Sequence, residues 1–483
     1  MNQSIIKQLK SINTIFNLFL FISLIVFYLC ENYNRVLPNE LILISYIIIF
    51  TLVIIGILSF KWWSKLICIV LILVASFLQF YVQNSLERLL TTYNFDSFET
   101  LIVVKKETPY LRLEQLLDKK IMISNNLNQR IVDDNVEQLK KEINNFILIN
   151  DKDDTSGIEL LLNGDIDALL LSESSLKLIE ETNTSFKDNY RIIDKLIFHK
   201  PREIKMKPVI NDEAPFTVFI SGIDVTGPIN TVSRSDVNIV MAINPKERKI
   251  VTVSIPRDTY IPIPCINNRL DKLTHAGNHG VACSIDSVSK FLGLDIHYYV
   301  RVNFTSVLNI VKLFESLDVY SHYDFIGYQK THFTKGINTM TPEQVLEFAR
   351  TRKTVAGGDI TRGVHQQEIM KSLFKKILSP NSVFKLESVI SSISKSIDTN
   401  FDANKLSNLI AIHLADPKEW QFDSFAIDGD AKFAYVASYS ASKLSIMLPY
   451  EKSIKEGLNK LRSCLGLDLV DKVPYVPYVP DDQ

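Results

Sequence analysis

Three long apolar stretches, 12–29, 41–59 and 66–82, open the chain, each close to the length at which a helix crosses a bilayer and almost free of charge. A cleaved signal peptide accounts for one such stretch, not three. Lys7, Lys10, Lys61 and Lys65 flank them on one side, whereas the loop 31–40 offers only Arg35 beside two glutamates. The positive-inside rule puts the N-terminus in the cytoplasm, and three crossings put everything after about Val82 outside the cell. Trp62 and Trp63, next to Lys61, suit an interfacial belt.

Beyond 83 the pattern changes. A short helical connector over 84–94 leads to strand-like runs at 100–105 and 120–124 and a helical run at 132–143. Residues 159–171 then read as helix, Gly-Asp turn and strand, an order that predicts a small α/β accessory domain over 84–200. Residues 201–215, rich in lysine, proline and acidic residues, read as a linker. The runs 216–223, 237–243 and 249–255 are nearly continuous and β-branched, as buried central strands are. Helical periodicity covers 285–292, 304–317, 342–350, 364–378, 383–397 and 406–414, and strand returns at 420–427. The predicted class is α/β, with a main domain over 216–466. The tail 467–483 contains Val473-Pro-Tyr-Val-Pro-Tyr-Val-Pro480 and reads as extended, either flexible or docked on a surface.

A net charge of −1 gives no bulk electrostatic reason to bind nucleic acid, and an extracellular position makes it less favourable still. No helix-turn-helix is apparent on the short cytoplasmic segments, which argues against direct transcriptional control. Of the five cysteines, Cys30 and Cys68 fall in or beside the apolar stretches as small apolar fillers. Cys265 and Cys283 bracket one loop, where the compartment permits a disulfide and the sequence alone leaves the pairing open.

The polar turn Asn244-Pro-Lys-Glu-Arg248 makes the second and third strands of the main domain an antiparallel hairpin. If the first strand is antiparallel to the second, Asp224, Arg234, Asp236, Arg257 and Asp258 all converge on one edge of the sheet. Carboxylates and guanidiniums gathered in this way suit a phosphate ligand with a divalent ion: Mg²⁺ takes one or two carboxylates plus phosphate oxygens, and arginine offers a fork to phosphate. An ordinary surface salt-bridge network is the alternative.

A second cluster lies downstream. Thr341-Pro-Glu-Gln344 starts a helix, with a capping threonine and proline at the first helical position. Arg350 and Arg352, two apart, cannot share a helical face, so the helix is expected to end there with both side chains turned toward one site. Gly357-Gly358 breaks the chain, and Asp359 or Thr361 caps a new helix that carries Arg362 and Gln366 on one face.

These residues resemble a known family. Ile220-Ser-Gly-Ile-Asp224, Ser233-Arg-Ser-Asp236, Ser254-Ile-Pro-Arg-Asp258, Asp271-Lys-Leu-Thr-His-Ala276 and Phe348-Ala-Arg-Thr-Arg352, followed by Asp359, Arg362 and Gln366-Gln367, are similar to the LytR-CpsA-Psr family over about 216–378. Within it, the three spans and accessory domain resemble the capsule-associated CpsA-like subgroup of streptococci and relatives.

The resemblance implies an αβα catalytic domain with a central mixed sheet that moves a polyprenyl-pyrophosphate-linked capsular polysaccharide, or a related glycopolymer, to a peptidoglycan acceptor, alongside capsule-assembly proteins. By the same resemblance Asp224 and Asp236 hold Mg²⁺. Arg234, Arg257, Arg350, Arg352 and Arg362 clamp the pyrophosphate, with Lys272 and Gln366 nearby, and Asp359 orients arginines or helps accept a proton. A prenyl slot needs apolar walls, for which 285–292, 304–317 and 364–378 are candidates. A non-catalytic membrane regulator or scaffold that binds the lipid-linked polymer is the alternative. Two departures stand out: His365 precedes Gln366-Gln367, and Thr339-Met-Thr-Pro342 replaces the family's usual helix entry.

Other chemistries find little support. His275 and His279 are four apart, but Gly277 and Gly280 oppose the stable helix that a zinc pair needs. There is no Gly-x-Ser-x-Gly elbow and no Walker A lysine loop.

Overall fold

The computed structural model describes residues 3–33, 39–59, 61–89, 94–124, 129–150, 154–183, 186–223, 228–377, 379 and 397–479, except scattered positions within 205–212 and 402–417. Asp224 and nearly all of the predicted helices 383–397 and 406–414 lie outside the described residues.

Helices α1 (Gln3–Tyr33), α2 (Asn39–Leu58) and α3 (Trp62–Leu89) form the N-terminal part. They pack through Leu20, Phe27, Val53 and Ile72 while leaving residues such as Leu18, Phe50, Ile55 and Phe77 exposed. So much exposed apolar surface does not suit water. Two stretches, Ile12–Cys30 and Trp62–Tyr81, are long and apolar enough to cross a membrane; the third, Ile42–Leu58, is shorter. The expectation of three full-length spans is thus corrected to two among the described residues. The polar Asn39 and Glu40 open α2, and Ser59 follows it. Helix α3 also continues through most of the expected connector, to Leu89.

The first α/β unit contains β1 (Phe95–Lys105), β2 (Lys120–Ile123), α4 (Gln129–Glu142), β3 (Ile147–Asn150), α5 (Asp154–Asn163), β4 (Ala168–Ser172), α6 (Glu173–Thr182) and β5 (Tyr190–Pro201). Its sheet runs β3-β2-β4-β1-β5, parallel over the first three strands and antiparallel over the rest. Alternate residues of β1 face opposite cores: Leu101 and Val103 meet α5 and α6, and Ile102 and Val104 meet α4.

The main unit has a six-stranded mixed sheet, β16-β11-β6-β7-β8-β17, made of β6 (Phe216–Ile223), β7 (Ser235–Asn244), β8 (Lys249–Ser254), β11 (Tyr298–Asn303), β16 (Ile397–Thr399) and β17 (Gln421–Ala426). As the polar turn implies, β7 pairs antiparallel with β8, and it also pairs antiparallel with β6, the condition on which the convergence rested. Between β8 and β11 come the ribbon β9 (Tyr260–Ile263) with β10 (Arg269–Lys272), then α7 (Leu273–Ala276) and α8 (Val281–Leu292). After β11 follow α9 (Phe304–Lys312), β12 (Leu317–Ser321), β13 (Phe325–Ile326), β14 (His332–Phe333), β15 (Gly336–Met340), α10 (Pro342–Arg350) and α11 (Gly358–Ile377). The hairpin β18 (Gly429–Val436) and β19 (Tyr439–Pro449) and helix α12 (Glu451–Cys464) close the unit.

Period-two alternation divides the helices into two layers. Phe219, Val240, Ala242, Val251 and Val253 pack with α8 and α12 in one core, whereas Val218, Ile220, Met241 and Ile250 face the side that carries α11. Helix α8 is therefore interior packing on the face away from the site and not a wall of a prenyl slot. The predicted helix 304–317 ends at Lys312, because Leu317 begins a strand paired with β15.

One further expectation is corrected. The linker 201–215 is tied down at its start. The Arg202 side chain, 2% exposed, donates from Nε to Asp96 at 3.0 Å and from Nη1 to Asp398 at 2.8 Å, while Ile204 and Met206 pack on the main core. Composition suggested a loose segment because it does not reveal that this arginine has two buried partners. Of the two alternatives for the tail, flexible or docked, the docked one holds: Val473 and Tyr475 are core residues, and the Tyr475 hydroxyl donates to the Tyr260 carbonyl at 3.0 Å. Pro474 and Pro477, three apart, hold the segment extended while Val473 and Tyr475 supply the buried area.

Cys265 and Cys283 form a disulfide with Cα atoms 5.8 Å apart across 18 residues. Cys265→Ser combined with Cys283→Ser is expected to lower stability by about 2–4 kcal/mol, read from urea unfolding.

Candidate active site

The C-terminal ends of β6 and β8 and the start of β7 meet at one edge, which is why residues distant in sequence gather there. Arg257 is the centre. Its Nη1 donates to Asp236 Oδ2 at 3.1 Å, and its Nε lies 3.7 Å from both Asp258 Oδ2 and Asp359 Oδ2. That Nε is buried and bonded to neither carboxylate. Thr274 Oγ1 donates to Asp236 Oδ1 at 3.2 Å.

Helix α10 delivers the next pair. Thr341 accepts from the Gln344 amide, Gln344 reaches back to the Thr341 amide, and Pro342 fills the first position. The helix stops at Arg350, so Arg350 and Arg352 both line the same cavity. Gly357, at φ +82°, and Gly358, at φ +54°, then redirect the chain into α11; a side chain at Gly357 would also run into the Thr361 hydroxyl. Helix α11 presents Asp359, Arg362 and Gln366. Asp359 gathers arginines, with Arg362 Nη2 at 3.1 Å, Arg352 Nη1 at 3.6 Å and Arg257 Nε at 3.7 Å. Gln366 Nε2 donates to the Ala349 carbonyl, bracing α11 on α10.

Burial pushes the Asp236 carboxyl up, but Arg257, Arg362 and Arg234 outweigh it and hold it below the ordinary carboxylate range. Asp258 is likewise held down against burial, chiefly by Lys272 and Arg257. Arg257 feels burial first, yet its carboxylate neighbours raise it overall.

These groups open into a cavity of about 420 Å³, within the usual range for ligand pockets of roughly 300–1,000 Å³. One end of it holds five arginines, Arg234, Arg257, Arg350, Arg352 and Arg362, against two carboxylates, Asp236 and Glu181, and that excess calls for an anion. The rest of the lining is apolar. Ile220 and Val302 form the sheet floor, Val307 and Ile310 come from α9, and Ile369, Met370 and Leu373 come from α11. A chain that is charged at one end and hydrocarbon beyond it fits this shape.

The structure brings together all the predicted cavity residues except three. Asp224 lies outside the described residues. Lys272 does not line the cavity: its Nζ pairs with Asp258 Oδ1 at 3.1 Å, because β10 aims it at the rim. Asp359 stands behind the arginines. Among the described residues no group of three or more His, Cys, Asp or Glu is arranged to hold a metal. The donor chemistry nonetheless fits Mg²⁺ in its phosphate-bound form, since Asp236 is ionised, faces the cavity and needs at most one carboxylate partner when phosphate supplies the other oxygens.

Two site residues were missed. Thr274 sits inside a quoted motif, and only the fold reveals its hydroxyl on Asp236. Glu181 belongs to α6 of the first unit, and its Oε1 accepts from Arg234 at 3.2 Å. His365 proves to be a packing group. Fully buried, it stacks between Phe325 and Phe348, with centroids 5.0 and 4.1 Å away, and burial pushes its ring down to about 4.

The chain matches the LytR_cpsA_psr family over residues 176–448. It is 33% identical over 201 residues to the polyisoprenyl-teichoic acid–peptidoglycan teichoic acid transferase TagU of Bacillus cereus, covering 41% of this chain and 65% of that protein. To the TagU of Enterococcus faecalis it is 30% identical over 227 residues, covering 46% and 73%. The crystal structure of TagV from B. subtilis aligns at 23% identity and TM-score 0.46, covering 53% of this chain and 99% of that one. TagT bound to LI-WTA aligns at 24% identity and TM-score 0.42, covering 55% and 95%. The family match starts inside α6, so it takes in Glu181 as well as the arginine cluster. By that match, over more than half its length, the chain belongs to the LytR_cpsA_psr family.

Proposed function

We propose that this protein is a membrane-anchored phosphotransferase that moves a glycopolymer, capsular polysaccharide or a related polymer, from a polyprenyl-pyrophosphate carrier to peptidoglycan. The observation that carries this reading is a cavity lined by five arginines at one end and by apolar side chains over the rest. The TagU relatives, named for the transfer of teichoic acid to peptidoglycan, support the same class of reaction.

In this reading an acceptor hydroxyl attacks the phosphorus that bears the polymer. A new P–O bond forms, the bridging P–O bond breaks, the hydroxyl gives up its proton and polyprenyl monophosphate departs. Such transfer needs positioning and charge neutralisation more than a covalent nucleophile. Arg257 is already oriented by Asp236 and Arg362 by Asp359, so little reorganisation is needed as charge moves to the leaving oxygen. Burying the prenyl chain contributes about 0.8 kcal/mol per CH₂. Asp236, with Asp224, would hold Mg²⁺, which supplies further charge neutralisation when bound. Anchoring by the apolar N-terminal helices, with the catalytic unit outside the cell, completes the reading.

Incubation of the purified protein with a labelled polyprenyl-pyrophosphate oligosaccharide and peptidoglycan fragments is expected to give transfer with Mg²⁺ and to lose at least tenfold with EDTA. Undiminished transfer in EDTA would remove Mg²⁺ from the reading. Tight binding without product, given a competent acceptor, would favour the non-catalytic scaffold.

A further inference from the structure

The last turn of α6 carries Glu180 and Glu181, at the end of a helix where the dipole favours a cation. A local misfit of this kind points to a requirement elsewhere in the fold. Glu180 is taken up by the Tyr190 hydroxyl, which donates to it at 2.7 Å. Glu181 instead reaches from the first unit into the second. Its Oε1 accepts from Nη1 and Nη2 of Arg234 at 3.2 and 3.3 Å, and it lines the cavity beside Arg257 and Arg362. The Glu181 side chain is 54% exposed and that of Arg234 only 9%, so the carboxylate has water to retreat to and the guanidinium does not.

We propose that Glu181 is a specificity-determining residue, a built-in anion that occupies Arg234 until a pyrophosphate displaces it. This rests on the reading of the cavity as a pyrophosphate site. A bound pyrophosphate cannot share Arg234 with Glu181 without like-charge repulsion, so a ligand must bring enough negative charge to win the exchange. Because Glu181 is half exposed, the exchange costs little, about a two- to fivefold effect on affinity. Linkage is reciprocal: the factor by which Glu181 opposes the ligand is the factor by which the ligand loosens α6 from Arg234. The units stay joined meanwhile, because Arg202 bridges Asp96 and Asp398, and Ser97 bonds to Asn230 and Val232, without touching the cavity. The first unit thus reports whether the site is filled.

Calorimetric titration of the full-length protein in detergent with farnesyl pyrophosphate, wild type against Glu181→Gln, tests this. Glu181→Gln is expected to bind about two- to fivefold more tightly, by an amount that shrinks as salt rises. Farnesyl pyrophosphate should also speed amide exchange at the end of α6 in the wild type and leave it unmoved in the variant. Binding by the wild type with equal or weaker binding by Glu181→Gln overturns the gate and leaves the pyrophosphate site standing. Absence of binding by both overturns the site reading, and the gate with it.

Discussion

Arg257→Lys is expected to lower polymer transfer by about 10²–10³-fold in a protein that still folds. Lysine keeps a positive charge opposite Asp236 but supplies one point of contact, where the guanidinium spans Asp236 through Nη1 and faces Asp258 and Asp359 through Nε. Without the fork, the arginine that organises the other charges no longer fixes its own position. Arg257→Ala is a harsher test, because it strips the partly buried Asp236 and Asp258 of a shared cation, a change expected to cost about 1–3 kcal/mol. Initial rates for Arg257→Lys, set beside its thermal unfolding, separate chemistry from stability. Wild-type rates in the lysine variant would remove Arg257 from the mechanism.

The second large effect concerns the apolar lining. Ala349 faces the cavity from α10, and Ala349→Trp would place an indole where a prenyl chain is to lie. Affinity for a long polyprenyl pyrophosphate is expected to fall at least 100-fold, roughly the loss of three to four buried CH₂ groups. Affinity for inorganic pyrophosphate should stay within about twofold, since the arginine end is separate. An equal loss for both ligands would mean that the tryptophan disturbs the arginine end through Arg350 and not the slot.

How much of this was legible in the sequence depends on how locally each signal is written. The three central strands were readable because continuous β-branched runs end in turn residues, and the polar turn at 244–248 fixed the pairing of the second with the third. That pairing alone placed Arg234, Asp236 and Arg257 at one edge. The capping box at Thr341 and the glycines at 357–358 likewise announced where Arg350, Arg352 and Arg362 would point.

Partnerships across the fold were not legible. Helix α8 has the same periodicity as α9 and α11, and only the alternation of Phe219 against Ile220 assigns it to the far face. Arg202 looked like one more linker charge until Asp96 and Asp398 were found around it. Val473 and Tyr475 read as low-complexity tail because their buried partners, such as Phe291, lie some 180 residues upstream. Glu181 carried a faint signal, an acid at the wrong end of a helix, with nothing local to name Arg234 as its partner.

The most direct test of the phosphotransferase reading is phosphorus NMR of a polyprenyl-pyrophosphate oligosaccharide incubated with the protein and a peptidoglycan acceptor. Transfer requires the two diphosphate resonances to give way, one for one, to a polyprenyl monophosphate and a sugar phosphodiester. Diphosphate resonances that broaden on binding but persist unchanged, with acceptor and Mg²⁺ in excess, would contradict it.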